Sequence, residues 1–537
     1  MRELNDFLIS LPTNYNQMGF FLFMILFFIV FFLLPSKKYV KETWILFGNI
    51  FFYLRSGTAS LVIISGTVLI VYISSMLMGK IYGKFEVEKI NSTPRQQIEL
   101  LAEYKKSTRI ILYVSGFVIV GIWVFVKICR LNNLENAYTF SSFRFFETII
   151  VPIGISFYTL SALGYLMDVY YRKIKPEHNI LYLMMAMTYF PIIVQGPISK
   201  YTKLIDQFKH LPKFDYERVT YGIQLFIWGL FKKLVIADRI LIFANTVFGA
   251  VENYYGVEII FALILSLIQM YADFSACMDM VQGVANMMGV ELEKNFNQPF
   301  FSTRCAEYWR RWHITLGAWF RDYVYLPIYM HPVYMRAANK IKKNFGKDRG
   351  QLFVTATISI IIWILTGLWH GTGWNYIVWG LYWYLLIVSG EGTEKLWKHI
   401  ADKLGIDCSS GYFHVWQMTR TFICALIGRL WTVAGNLKNC GLIWKHIVTE
   451  LHIWFFFDGS IYRCGLSRPD FWLAILAIGV LWGVDYAHEK NVKIRDYIAH
   501  KPIVIRWTIY YMAIFSIIIF GIYGSGYDAS SFVYGGF

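Results

Sequence analysis

Apolar runs long enough to cross a bilayer recur along the whole chain, separated by short polar stretches. The first three fall near 18–35, 43–55 and 58–78. Others near 110–129, 147–167, 180–195, 218–236, 257–274, 353–370, 374–389, 419–435, 470–484 and 505–523 bring the expectation to about thirteen spans, within a range of roughly 11–14. Three segments are poor spans: 238–251 is short, 274–290 holds Asp279 and Gln282, and 295–330 is dense in Arg and Trp yet too apolar for an ordinary loop. Irregular backbone at membrane depth is tolerated only where protein or a water-filled cavity covers it. The pattern therefore predicts an all-α polytopic membrane protein in which re-entrant or tilted helices form a central funnel. One domain is expected over 1–537, divided into N-terminal helices (1–145), a core that bears the motifs (146–390) and C-terminal helices (391–537).

Composition agrees: the 537 residues are 56% hydrophobic and 19% aromatic. Charge then sets an orientation. The stretch 79–109 holds seven basic residues (Lys80, Lys84, Lys89, Arg95, Lys105, Lys106, Arg109) against four acidic ones, and the positive-inside rule places it in the cytoplasm. Three spans precede it, so the N-terminus is expected outside, and the loop with Lys37, Lys38 and Lys41 then falls inside as well. The loop 331–350, with Arg336, Lys340, Lys342, Lys343, Lys347 and Arg349 against Asp348, is also expected in the cytoplasm. The excess of 51 Lys and Arg over 35 Asp and Glu sits in such loops and reports topology in the lipid bilayer, not nucleic-acid binding. Residues 1–17 carry Arg2, Glu3 and Asp6, and the apolar run from Met18 to Leu34 is too long for a signal-peptide core, so it reads as the first anchored helix of a multi-pass protein of the cytoplasmic membrane. Seven cysteines at irregular spacing, without CxxC, read as buried thiols, neither disulfides nor metal ligands. No HExxH, Walker-type loop or dinucleotide-binding glycine pattern appears, so no metal and no bound cofactor are expected.

Candidate chemistry centres on two histidines. His370 closes TGLWH after a stretch, Leu352–Trp369, without an ionisable side chain. A titratable group at membrane depth is costly and usually serves chemistry or transport. Gly367, Gly371 and Gly373 let backbone approach closely and suggest room beside the imidazole for a chain-like ligand. Trp369, Trp374 and Trp379 could wall such a passage, with Asn375 beside it. Read as one helix, 307–327 puts Trp309, Trp312, His313 and Trp319 near one broad face, flanked by Arg310, Arg311, Arg321 and Asp322. Indole and guanidinium suit an interfacial position or an anionic donor. The competing readings are a buried histidine that bonds a backbone carbonyl, and an interfacial helix with no catalytic role. Asp168, Asp273, Ser275 and Asp279 are further polar residues at membrane depth, read as structural. No GxSxG elbow and no third member of a Ser-His-Asp set can be located.

Taken together, GISFYTLSALGYLMDVY (154–170), QGPISKY (195–201), YADFSACMDM (271–280), NFNQPF (295–300), YWRRWHITLGAWFRDYVYLP (308–327) and TGLWHGTGWNYIVWG (366–380) resemble the membrane-bound O-acyltransferase family, in particular its bacterial alginate O-acetyltransferase branch. The N-terminal run FLFMILFFIVFFLLP and the closing SSFVYGGF look similar to the ends of that branch. The resemblance implies that His370 is the histidine essential for acyl transfer and that His313 lines the passage toward it. It implies a ring of helices around a funnel open to the cytoplasm, and an acyl group, acetyl by expectation, delivered from acyl-coenzyme A or an acyl carrier protein. It implies an acceptor hydroxyl on an extracytoplasmic glycan and an exported SGNH-type transferase as partner. Ala276 and Cys277 replace a Gly-Tyr pair common in that branch, and FVYGGF replaces a more aromatic ending. Both departures put the acceptor in doubt. D-alanyl transfer to teichoic acid is the alternative within the family, though residues 390–470 extend past that shorter pattern. A transporter or flippase, or a scaffold anchoring an exported acyltransferase, are the alternatives outside it.

Overall fold

The structure, a computed structural model, describes residues 18–523 apart from 36, 38, 55–57, 136–153 and 194, and gives no side chains at 18, 59 and 128–135. The expectations for residues 1–17, for the start of the 147–167 span, for the closing SSFVYGGF and for the side chain of Cys129 lie outside the described residues. The chain forms two compact units. One runs to Phe226 and includes Val281–Glu293; the other holds Ile227–Met280 and the described chain from Lys294 onward. Their boundary passes through helices.

The first unit contains α1 (Met18–Leu33), α2 (Val40–Leu54), α3 (Thr58–Lys89), α4 (Pro94–Glu135), α5 (Ile155–Tyr170), α6 (Ile180–Thr188) and α7 (Tyr201–Lys209). The basic stretch 79–109 is not a loop, because α3 and α4 run on through it and turn only at 90–93. A capping box makes that turn: Thr93 N–H donates to Gln96 Oε1 at 2.9 Å, and Pro94 takes the first helical position, where its missing N–H costs nothing. Polar staples tie the helices. Buried Asn49 donates to the Met185 carbonyl at 3.2 Å and accepts from Phe190 N–H at 2.9 Å, and Tyr82 Oη donates to the Tyr170 carbonyl at 2.7 Å. Asp168, read as structural, sits near the end of α5 with Lys173 at 3.4 Å.

α8 (Tyr216–Leu230) crosses from the first unit into the second after Phe226 and passes through a π-helical turn (Phe231–Ala237) into α9 (Asp238–Gly249). There follow α10 (Val257–Met288), α11 (Cys305–Arg311), α12 (Ile314–Phe320), α13 (Pro332–Phe345), α14 (Lys347–His370), α15 (Trp374–Lys403), α16 (Gly411–Val433), α17 (Leu437–Thr449), α18 (Arg468–Glu489) and α19 (Ile503–Phe520). Among the described residues, six helices are long and apolar enough to cross a membrane: Ser60–Lys89, Pro94–Lys127, Val257–Met288, Lys347–His370, Arg468–Glu489 and Ile503–Phe520. Other expected spans form shorter helices such as α5 and α6, or the more polar α15 and α16. The protein is thus all-α and polytopic, and the only extended pairing among the described residues is the isolated bridge between Phe296 and Trp312.

One expected element is overturned. Residues 307–327 are not a single helix: α11 ends at Arg311, His313 adopts a left-handed backbone (φ 46°, ψ 51°), and α12 starts afresh before a second π-turn at Arg321–Tyr325. The cause lies upstream, where the Asn295 carbonyl takes Ile314 N–H at 3.0 Å and the Arg311 carbonyl takes Asn297 N–H at 2.9 Å. Among the six described cysteines none forms a disulfide. Cys408 is exposed, contrary to the reading of every thiol as buried.

Candidate active site

The second unit brings His313 and His370 together. His313 is 2% exposed and His370 6%. Trp369 bridges the imidazoles, its ring centroid 5.9 Å from His313 and 4.9 Å from His370, and the two histidines are electrostatic neighbours. Phe274 of α10 meets the His313 ring edge-on at 4.9 Å. Asn295, the first residue of the NFNQPF motif, holds His313, its Oδ1 3.1 Å from Nδ1.

His370 is the last residue of α14, and α15 returns immediately against it. The glycines around it make this hairpin, not an open passage. A Cβ on Gly367 would lie 2.4 Å from the Tyr376 carbonyl oxygen, and one on Gly371 would lie 2.1 Å from the Tyr376 ring. The space read as room for a ligand is therefore filled by Tyr376. Asn375 is fully buried and donates to the Trp431 carbonyl at 3.0 Å, fastening the start of α15 to the end of α16.

Beyond His370 the site is walled by indoles. Trp379 stands 5.0 Å from His370, Trp309 is 5.6 Å from Trp379, and Trp383 is 5.1 Å from Trp309. Tyr308 stacks on both Trp383 and Trp312, 5.6 Å from each, which returns the wall toward His313 through Phe296 and Phe274. The buried indole N–H groups of Trp309 and Trp383 meet no protein acceptor. They are hydrogen-bond donors embedded in an apolar wall.

Other expected site residues are placed elsewhere. Trp374 is 72% exposed and does not wall an enclosed passage. Trp319 packs on Phe320 and Tyr323, beyond the break at His313. Arg311 is held by Glu489 at 2.6 and 3.1 Å and by Glu307 at 2.8 Å, so its fork is committed to carboxylates of the protein. Arg310 is exposed, and exposed Arg321 pairs with its neighbour Asp322 at 2.9 Å.

Next to Phe274 on α10, Asp273 belongs to a charged cluster that sequence reasoning missed. Lys233 is buried between Asp273 at 2.7 Å and Asp238 at 2.8 Å, while Lys232 reaches Asp279 at 2.7 Å and Ser275 at 2.8 Å. The π-turn adds a residue to the helical repeat and so aims both lysines at α10. The signal was present in the sequence as two lysines inside the apolar run 218–236. Asp273 and Asp279, read as structural polar residues, find their partners here.

Residues 143–341, which include His313 but not His370, match the model of the membrane-bound O-acyltransferase family. The chain is 32% identical over 290 residues to the Pseudomonas aeruginosa protein named "Probable alginate O-acetylase AlgI", covering 54% of this chain and 50% of the relative. It is 26% identical over 370 residues to a Helicobacter pylori peptidoglycan O-acetyltransferase, covering 63% and 62% of the two chains. A Bacillus subtilis teichoic acid D-alanyltransferase is 29% identical over 263 residues, covering 46% of this chain and 61% of the relative. The match thus spans about half the length of the alginate relative. The segment that folds around the left-handed His313 is thus the part of the chain that matches the membrane-bound O-acyltransferase family model.

Proposed function

We propose that the protein is an acyltransferase that moves an acyl group, acetyl in the leading reading, from a cytoplasmic thioester to a hydroxyl of an extracytoplasmic polysaccharide, directly or through an exported SGNH-type partner. The observation that carries this reading is the pair of buried imidazoles bridged by Trp369, within a wall that also presents the indole N–H groups of Trp309 and Trp383. An imidazole can take a proton from an alcohol near neutral pH. In the proposed step His370 accepts the proton of the acceptor hydroxyl, whose oxygen attacks the thioester carbonyl. The carbon–sulfur bond then breaks, and the proton passes to the departing thiolate. Trp309 and Trp383 supply donors able to polarise a carbonyl in surroundings where such bonds are strengthened by the absence of water. The exposed Arg336, Lys340, Lys343, Lys347 and Arg349 at and around α13 form a basic surface suited to an anionic coenzyme or an acidic carrier. Asp168, Asp273 and Asp279 are assigned structural roles, and neither a resident cofactor nor a metal is assigned.

The test is reconstitution in proteoliposomes with an acetyl thioester and a polysaccharide acceptor. Wild type should release free thiol and acetylate the acceptor, and His370→Ala, still folded, should lose at least about a hundredfold in rate. A folded His370→Ala protein that transfers at the normal rate would end the proposal. Movement of a substrate without thioester turnover would favour a transporter instead. D-alanyl transfer is the second reading, favoured by the Bacillus subtilis relative. A D-alanyl thioester consumed in preference to the acetyl one would select it.

A further inference from the structure

Asn295 makes three polar contacts through one atom. Its Oδ1 lies 2.9 Å from Thr315 Oγ1, 3.1 Å from Thr315 N and 3.1 Å from His313 Nδ1, while its Nδ2 faces the Met278 sulfur at 3.3 Å. The orientation of an amide is often ambiguous, since oxygen and nitrogen look alike. Here a neighbour decides it. The Thr315 backbone N–H can only donate, so the amide atom facing it must be the acceptor oxygen. The reverse orientation would set an NH2 group against that N–H and leave the oxygen against a thioether.

An amide oxygen only accepts. His313 Nδ1, 3.1 Å from that oxygen, must therefore carry a hydrogen. In the neutral ring the other nitrogen, Nε2, then holds the lone pair. We infer that Asn295 is a positioning residue that fixes His313 as the Nδ1–H tautomer, so that His313 serves its site as a proton acceptor through Nε2. Backbone geometry supports the arrangement. Asn295 and Asn297 pair antiparallel with the residues on either side of His313, and this clamp holds the left-handed turn that sends the imidazole toward Phe274 and Trp369. The side chains described against the ring are neutral, apart from His370 as its titratable neighbour. Only the link to catalysis rests on the acyl-transfer reading; the tautomer does not.

The two are separable by experiment. Full-length protein labelled with 15N-histidine, in lipid, is compared with His313→Gln by solid-state NMR to assign the His313 signals. The inference expects Nδ1 protonated and Nε2 unprotonated near neutral pH and above. An Nε2–H tautomer overturns it, whether or not the protein proves to be an acyltransferase. In the transfer assay, Asn295→Ala should lower kcat by about 10–100-fold with little change in donor KM, the usual scale for losing a partner that orients an imidazole. Asn295→Asp puts a carboxylate beside the ring, favours its charged form, and should move the rising limb of the pH–rate profile to higher pH. Wild-type kcat and an unmoved profile in both variants would overturn the catalytic role. Should Asn295→Ala fail to fold, the wild-type spectrum and the pH profile of Asn295→Asp still decide. A wild type with the expected tautomer but no transferase activity would sink the functional proposal alone.

Discussion

At His313 the backbone and the imidazole have different requirements. A left-handed conformation costs a residue other than glycine on the order of 1–3 kcal/mol unless its surroundings impose it, and asparagine tolerates that region best. His313→Asn should therefore keep the turn, with relief of strain offsetting the lost ring contacts to within about 1 kcal/mol. Thermal unfolding in detergent checks the first part, and a transfer rate at least about a hundredfold lower checks the second. A variant that unfolds far below wild type would show that the ring, not the backbone, holds the break. Both histidines were legible in the sequence because imidazoles within long apolar motifs stand out. Asn295 was not, because its role comes from meeting His313 across a turn 18 residues away, which no local periodicity records.

The hairpin of α14 and α15 carries His370 and is set by close backbone approach. A Cβ on Gly380 would lie 2.3 Å from the Trp363 carbonyl oxygen, so Gly380→Ala must force the two helices apart. We expect a loss of about 1–3 kcal/mol, the usual cost of overpacking, together with a lower transfer rate as the indole wall shifts. Unchanged unfolding and activity would mean that the helices part at no cost. The same glycines show where reading by element fell short. Glycine signals that something comes close, and the sequence cannot say whether that is a ligand or, as here, Tyr376 of the same chain. The 307–327 segment failed for a related reason: three-to-four spacing continues across a single left-handed residue, so one helix and two look alike. Lys232 and Lys233 were hidden by averaging, since two charges barely lower the hydropathy of a long window.

Across the whole molecule, the polytopic all-helical class was legible because apolar content over a long chain leaves few other solutions. The division into two units was not, since its boundaries fall inside continuous helices. The expected orientation puts the connection between α15 and α16 in the cytoplasm. Cys408 lies in that connection and is exposed. A membrane-impermeant thiol reagent should spare it in intact cells and label it once the membrane is opened; labelling from outside would reverse the topology. The buried Lys–Asp cluster has a consequence for biogenesis. Taken singly, Lys232, Lys233 and Asp238 would oppose lateral release of their segment into lipid by on the order of 8 kcal/mol in sum; Asp238 offsets part of this by pairing with Lys233 inside the segment, and the carboxylates that offset the rest, Asp273 and Asp279, lie on α10, which is synthesised later. The segment should therefore wait at the translocon until α10 emerges, and the two should enter the bilayer as a pair. A nascent chain ending at Gly249 should leave 227–249 outside the membrane in a glycosylation-mapping assay, and extension to Met288 should bring it in. Replacing Lys232, Lys233, Asp238 and Arg239 with apolar residues should let the shorter chain insert alone.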